Sequence, residues 1–153
     1  MNEVFAPRDP LFAERVRASF ARQTLMATLG ASLARVEPGE VDILLPHAPG
    51  ILQQHGFVHG GAVTSIADSA AGYATLTLAP VGTGILTVEF KINLLAPAKA
   101  ARLVACGRVV RPGRTLTVAQ TEVFGLDPDG SRVQVALLTA TMMALEGKAG
   151  VVD

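Results

Sequence analysis

From Gly60 to Ala74 the chain carries one charge in a run of small and apolar residues, and that charge is Asp68. The run is uniform enough in size and polarity to predict a buried helix. Its alanines and glycines make that helix thin, so a sheet can approach it closely on several sides. Burying an ionised carboxylate without partners costs on the order of several kcal/mol, comparable to the net stability of a small domain. The positions three and four away, Thr64, Ser65, Ala71 and Gly72, hold no lysine or arginine, so no ion pair along the helix accounts for Asp68. A functional role is the expected reason for its presence.

What flanks this helix narrows the fold. Asp9-Pro10 followed by Phe12, Val16 and Phe20 at helical spacing predicts a short amphipathic N-terminal helix, with Arg15 and Arg17 on its solvated face. Residues 26–46 read as extended, with Glu37-Pro38-Gly39-Glu40 as the turn of a hairpin, and residues 50–59 as a loop running into the central helix. Beyond the helix the pattern is strand. Leu86, Val88, Phe90, Ile92 and Leu94 alternate with Thr87, Glu89, Lys91 and Asn93, which predicts a strand over 85–95 with one face in the core. Turn signals at Ala96-Pro97, Arg111-Pro112-Gly113-Arg114 and Asp127-Pro128-Asp129-Gly130 separate it from strands over 102–111, 115–125 and 131–145. The expectation is an α+β domain in which a curved antiparallel sheet of about six strands, joined by hairpins, wraps the long helix. The short connections exclude a doubly wound parallel sheet.

Length and charge set further bounds. The 153 residues, half of them apolar, make one domain over 1–153, with an N-terminal helical segment at 1–24 and a C-terminal tail at 146–153. Thirteen basic and thirteen acidic residues balance, with no long run of either sign, so nucleic acid is not an expected partner. The uncharged stretch 69–88 is broken by Ala79-Pro80-Val81-Gly82-Thr83-Gly84 before it reaches the roughly 20 residues of a membrane span. With a single cysteine, Cys106, and charges instead of an apolar run after Met1-Asn2-Glu3, the chain reads as cytoplasmic. Cys106 lies mid-strand with no histidine or aspartate near it in sequence and is expected to be a buried structural thiol.

The run Gln53-Gln54-His55-Gly56-Phe57-Val58-His59-Gly60-Gly61, continued by Asp68-Ser69-Ala70-Ala71-Gly72-Tyr73-Ala74, resembles the hotdog-fold acyl-CoA thioesterases of the phenylacetic-acid-degradation type. The strand Leu86 to Pro97 and the later Gly113-Arg114-Thr115-Leu116 match in kind and order, so the likeness extends over roughly 25–145. It implies a sheet extended by dimerisation, active sites at the subunit interface, further pairing into homotetramers, and hydrolysis of acyl-CoA without metal or redox cofactor, CoA being part of the substrate. In the family pattern the helix carboxylate is general base or nucleophile, which is Asp68, and the glycine N–H that polarises the thioester carbonyl is Gly60. Many members have asparagine where this chain has Gln53; glutamine offers the same amide on a longer arm. Thr87 stands where the family often has a hydroxyl or amide and is a candidate to orient water.

The residues agree with those roles. Gly60 and Gly61 at a helix start offer N–H groups without intrahelical partners at the positive end of the dipole. Asp68 lies about 10–12 Å further along the axis by backbone rise, too far to act on a carbonyl held at its own helix start, so a site completed by a second subunit is expected. His55 and His59 are four apart, yet Gly56 places them in a loop with no carboxylate or cysteine, and no metal is expected; His59 is expected to fix the loop or border the thioester. Arg111 and Arg114 flank a tight turn as candidates for CoA phosphates or as solvated hairpin residues. Two rival activities are a hotdog enoyl-CoA hydratase or dehydratase, which needs an acid/base histidine and has only His59 near the site, and a non-catalytic acyl-CoA-binding module, in which Asp68 would be dispensable.

Overall fold

A computed structural model describes residues 5–153; the charged start at Met1, Asn2 and Glu3 lies outside them. The chain runs α1 (Phe12–Arg22), α2 (Thr24–Leu29), β1 (Ser32–Glu37), β2 (Glu40–Pro46), α3 (Gly60–Leu76), β3 (Thr83–Leu94), β4 (Arg102–Arg111), β5 (Leu116–Leu126) and β6 (Arg132–Glu146). All six strands join one antiparallel sheet in the order β1-β2-β4-β5-β6-β3, curled around α3. This is the expected α+β hotdog architecture. No helix among the described residues is long and apolar enough to cross a membrane.

The thinness of α3 lets the sheet close on it. Ala67, Ala70, Ala71 and Ala74 are fully buried beneath the strands. The tightest approach is at Gly107 of β4, where an added Cβ would stand 2.4 Å from the backbone carbonyl of Ala70. One strand to the side, the Thr121 hydroxyl donates to Ala67 O at 2.9 Å. Small residues on both elements thus replace the usual layer of interdigitating side chains, and the core is filled from the flanks by Ile43, Leu45, Ile66, Leu103, Leu138 and Met142.

Four expectations are corrected. Residues 26–29, within α2, are helical instead of extended, and Met26 is fully buried; Gly30, with φ 73°, ends that helix in the left-handed conformation before β1 begins. The hairpin expectation holds for β1–β2 and β4–β5–β6, but β3 pairs with β6 instead of β4, so residues 95–101 carry the chain across the sheet. Of the alternating apolar residues of β3 only Ile92 packs against the core: as the edge strand it leaves Leu86, Val88, Phe90 and Leu94 between 43% and 59% exposed. A bulge at Val88, between the pairs Thr87↔Met142 and Glu89↔Thr141, also reverses which side of the sheet the alternation serves.

The fourth correction concerns Arg15. It is not on the solvated face: its side chain is 11% exposed and its guanidinium donates to the carbonyls of Leu76 (3.0 Å), Ala79 (2.7 Å) and Pro80 (2.9 Å), with Asp9 at 3.6 Å behind it. Arg15 therefore caps the C-terminal end of α3, where carbonyls lack intrahelical donors and a cation suits the dipole. Arg15→Lys keeps the charge but not the planar fork that reaches three carbonyls. It is expected to cost about 1.5 kcal/mol and to lower the melting temperature by about 3–6 °C. A thermal scan that shows no shift would mean that the charge alone suffices.

Candidate active site

Each end of the site is set by α3. At the start of the helix His59 is the N-cap residue in extended conformation, and its Nδ1 accepts from Gly61 N–H at 2.8 Å. That bond fixes the ring with Nδ1 as acceptor. His59 O takes the N–H groups of Ala62 and Val63, leaving Gly60 N–H without an acceptor among the described residues. Gly60 and Gly61, grouped in the sequence reading, are thus separated by the structure: Gly60 N–H is free and Gly61 N–H is engaged.

The preceding loop is a tight hairpin closed by the Leu52↔Val58 bridge, with Gln53 N–H donating to Phe57 O at 2.8 Å and Gly56 at φ 83° making the turn. Gln53 Oε1 accepts from His55 N–H, which leaves the amide NH2 as a donor. Gln53 and Gly60 line one recess of about 380 Å3, walled by Phe57, Val63, Leu94 and Val135. His55 is exposed and its ring meets the Gln54 amide.

Two turns along the helix, half-buried Asp68 meets Thr87 of β3, whose hydroxyl donates to Asp68 Oδ1 at 2.8 Å. Burial holds the Asp68 carboxyl above the ordinary aspartate range, and the Thr87 hydrogen bond offsets part of that rise. The pair opens on a second recess, of about 130 Å3, that shares no residue with the first. Gln23 of the α1–α2 junction and Asp153 of the C-terminal tail also line it. Ser69 Oγ donates to Gln23 Oε1 at 3.2 Å, and Asp153 accepts from the Ser19 hydroxyl (2.6 Å) and Ile85 N–H (3.2 Å). The sequence reading missed Gln23 and Asp153. Ser69, beside Asp68, was the one neighbour that sequence proximity offered.

Of the residues singled out in sequence, the fold brings Asp68 to Thr87 and Gln53 to Gly60, and keeps the two pairs apart within one chain. Arg114 lines a third recess with Phe5, Arg8, Leu78 and Pro80, which has only Ile85 in common with that of Asp68. Arg111 is exposed at the end of β4. Cys106 is buried, and burial together with the Asp42 carboxylate pushes its thiol up to about 11, so it is inert at neutral pH.

A family model described as the thioesterase superfamily matches residues 55–130, a segment that begins in the Gln53 loop and contains α3 and β3. A thioesterase family protein from Silicibacter pomeroyi is 47% identical with a TM-score of 0.87, covering 89% of this chain and 99% of that one. The PaaI protein of the phenylacetic acid degradation operon of E. coli, at 22% identity, shares the fold with a TM-score of 0.77 over 90% of this chain and 95% of that one. A candidate esterase of Halobacterium salinarum is 32% identical over 65% of this chain and 68% of its own length.

Proposed function

The chain belongs to the thioesterase superfamily and is a thioester hydrolase; on that premise we propose that it cleaves acyl-CoA at sites completed by a second copy of the same chain. One observation carries the composite site: Asp68 and the unpaired Gly60 N–H lie in recesses with no wall in common. A carbonyl polarised by Gly60 of one subunit meets the Asp68 of the other. The exposed apolar edge of β3, which also bears Thr87, is the element through which two subunits would pair.

In the proposed reaction Asp68 takes a proton from water, and the resulting hydroxide adds to the thioester carbonyl carbon. The charge that develops on the carbonyl oxygen is met by Gly60 N–H and the Gln53 amide. Collapse of the adduct breaks the C–S bond, and the CoA thiolate leaves with the proton returned by Asp68. With Oδ1 held by Thr87, Oδ2 is the oxygen left to the water. A hydratase needs an imidazole free to shuttle protons. His59 Nδ1 is already committed to Gly61 N–H, which weighs against that reading.

Chain mixing tests the arrangement. Asp68→Asn and Gln53→Ala chains, each weak alone on acyl-CoA, are expected to regain hydrolysis when unfolded together and refolded as mixed oligomers, since one site of each mixed pair is then intact. Absence of recovery in verified mixed oligomers would place both groups in one chain's site.

A further inference from the structure

Glycine in a helix interior gives up more backbone freedom than alanine and needs a reason to be there. Elsewhere in this fold the reason is contact. A Cβ on Gly107 would strike Ala70, and one on Gly84 would come within 2.7 Å of the backbone oxygen of Val151. Gly72, inside α3, has neither a positive φ nor a neighbour: a Cβ built there meets nothing within 4 Å. It stands four residues after Asp68, hence one turn along on the same face, and both line the same recess.

Beyond Gly72 the recess is lined by Tyr73, Leu76 and Ile85 and by Asp153, whose carboxylate is anchored by the Ser19 hydroxyl and Ile85 N–H. Its volume is about 130 Å3, against about 380 Å3 for the recess at Gly60. A small recess beside a carboxylate suits the acyl end of a thioester, because the longer pantetheine arm needs more room. Asp68 and Asp153 line the recess, Asp153 paired with Arg22 at 3.8 Å, so the balance of charge an occupant meets is negative, while the Gln23 amide NH2 is left to donate to an oxygen because Oε1 already accepts from Ser69.

Building on the acyl-CoA reading above, we propose that the space over Gly72 is the acyl pocket and that it selects short, uncharged acyl groups, including hydroxylated ones. Gly72 sets its width, and the tail anchored by Asp153 sets its depth. The substrate class is therefore short acyl thioesters, with long-chain and dicarboxylic thioesters rejected.

The test compares kcat/KM for acetyl-, butyryl-, 3-hydroxybutyryl-, succinyl- and lauroyl-CoA in the unmodified protein, Gly72→Ala and Gly72→Val, with size-exclusion chromatography and a thermal scan of each. The unmodified protein is expected to favour the two four-carbon uncharged substrates over succinyl- and lauroyl-CoA by about tenfold or more. Gly72→Val is expected to lower the butyryl-to-acetyl ratio by about tenfold, with Gly72→Ala between, and without loss of melting temperature. An equal change on all substrates, a preference for lauroyl-CoA, or dissociation of the oligomer on filling Gly72 would overturn the assignment. The last would mean that a partner chain occupies the space. No hydrolysis of any of the five by the unmodified protein would instead remove the acyl-CoA reading, and the pocket assignment with it.

Discussion

Asp68→Asn is expected to lower kcat/KM for thioester hydrolysis by about 10²-fold or more, to leave acyl-CoA binding largely intact, and to raise the stability of the fold. The first effect follows from removing the base while keeping its shape. Asparagine still presents Oδ1 to the Thr87 hydroxyl, so the local structure survives. The second has its sign fixed by the raised carboxyl. Below the ordinary aspartate range Asp68 is protonated in folded and unfolded chains alike and costs nothing. As pH rises from that range through the higher folded value, the unfolded chain ionises first and stability is lost; above it the full cost of a charged, half-buried carboxylate remains. The variant should therefore melt above the unmodified protein at neutral pH, and the gap should close in acid. In the active protein, hydrolysis should rise with pH along a limb governed by that same raised carboxyl. Turnover within a few-fold of normal in Asp68→Asn would exclude the proposed base. Equal melting temperatures at neutral pH would show that the carboxylate carries no cost.

Gly107→Val is expected to have the largest effect on stability, about 4 kcal/mol or more, seen as a melting temperature lower by about 10 °C or more or as failure to accumulate folded protein. The first added carbon would lie 2.4 Å from the Ala70 carbonyl, and that obstacle is backbone, which no rotamer change relieves. Moving it means moving α3 off the sheet, and Asp68, two residues before Ala70, moves with it. Gly107→Ala should show a milder form of the same loss. A melting temperature for Gly107→Val within a degree or two of normal would mean that helix and strand are not in backbone contact at this point.

How far the structure was legible in the sequence follows the range of the interactions that decided each part. The pairs β1–β2, β4–β5 and β5–β6 are joined by turns whose residues state the geometry locally, Pro38-Gly39 and Asp129-Gly130 among them, and they were readable. The placement of β3 was not, because its partner β6 lies some 40–60 residues on and the link at 95–101 carries no sign of where it lands. Met26 to Leu29 is too short a run for helical and extended periods to differ, and burial against the sheet decided for the helix. Arg15 resembled any arginine on an amphipathic helix; the carbonyls it caps are 61 to 65 residues away. In the site, Asp68, Gly60 and His59 were legible because one helix start and its interior bear them. Gln23 and Asp153 reach the same recess from opposite ends of the chain, with no local pattern to announce them.

The extra residue at Val88 also marks the register of β3 against β6. A strand with side chains alternating every two residues can slip by two and still present the same kinds of surface, and β3, with apolar residues at 86, 88, 90, 92 and 94, is open to that error. The bulge makes the two halves of the strand inequivalent, because residues before and after it obey opposite parity against β6. A slipped pairing would carry the irregularity away from Met142 and take Thr87 out of reach of Asp68. The register that places the irregularity at Val88 is thus the same one that brings the Thr87 hydroxyl onto the Asp68 carboxylate.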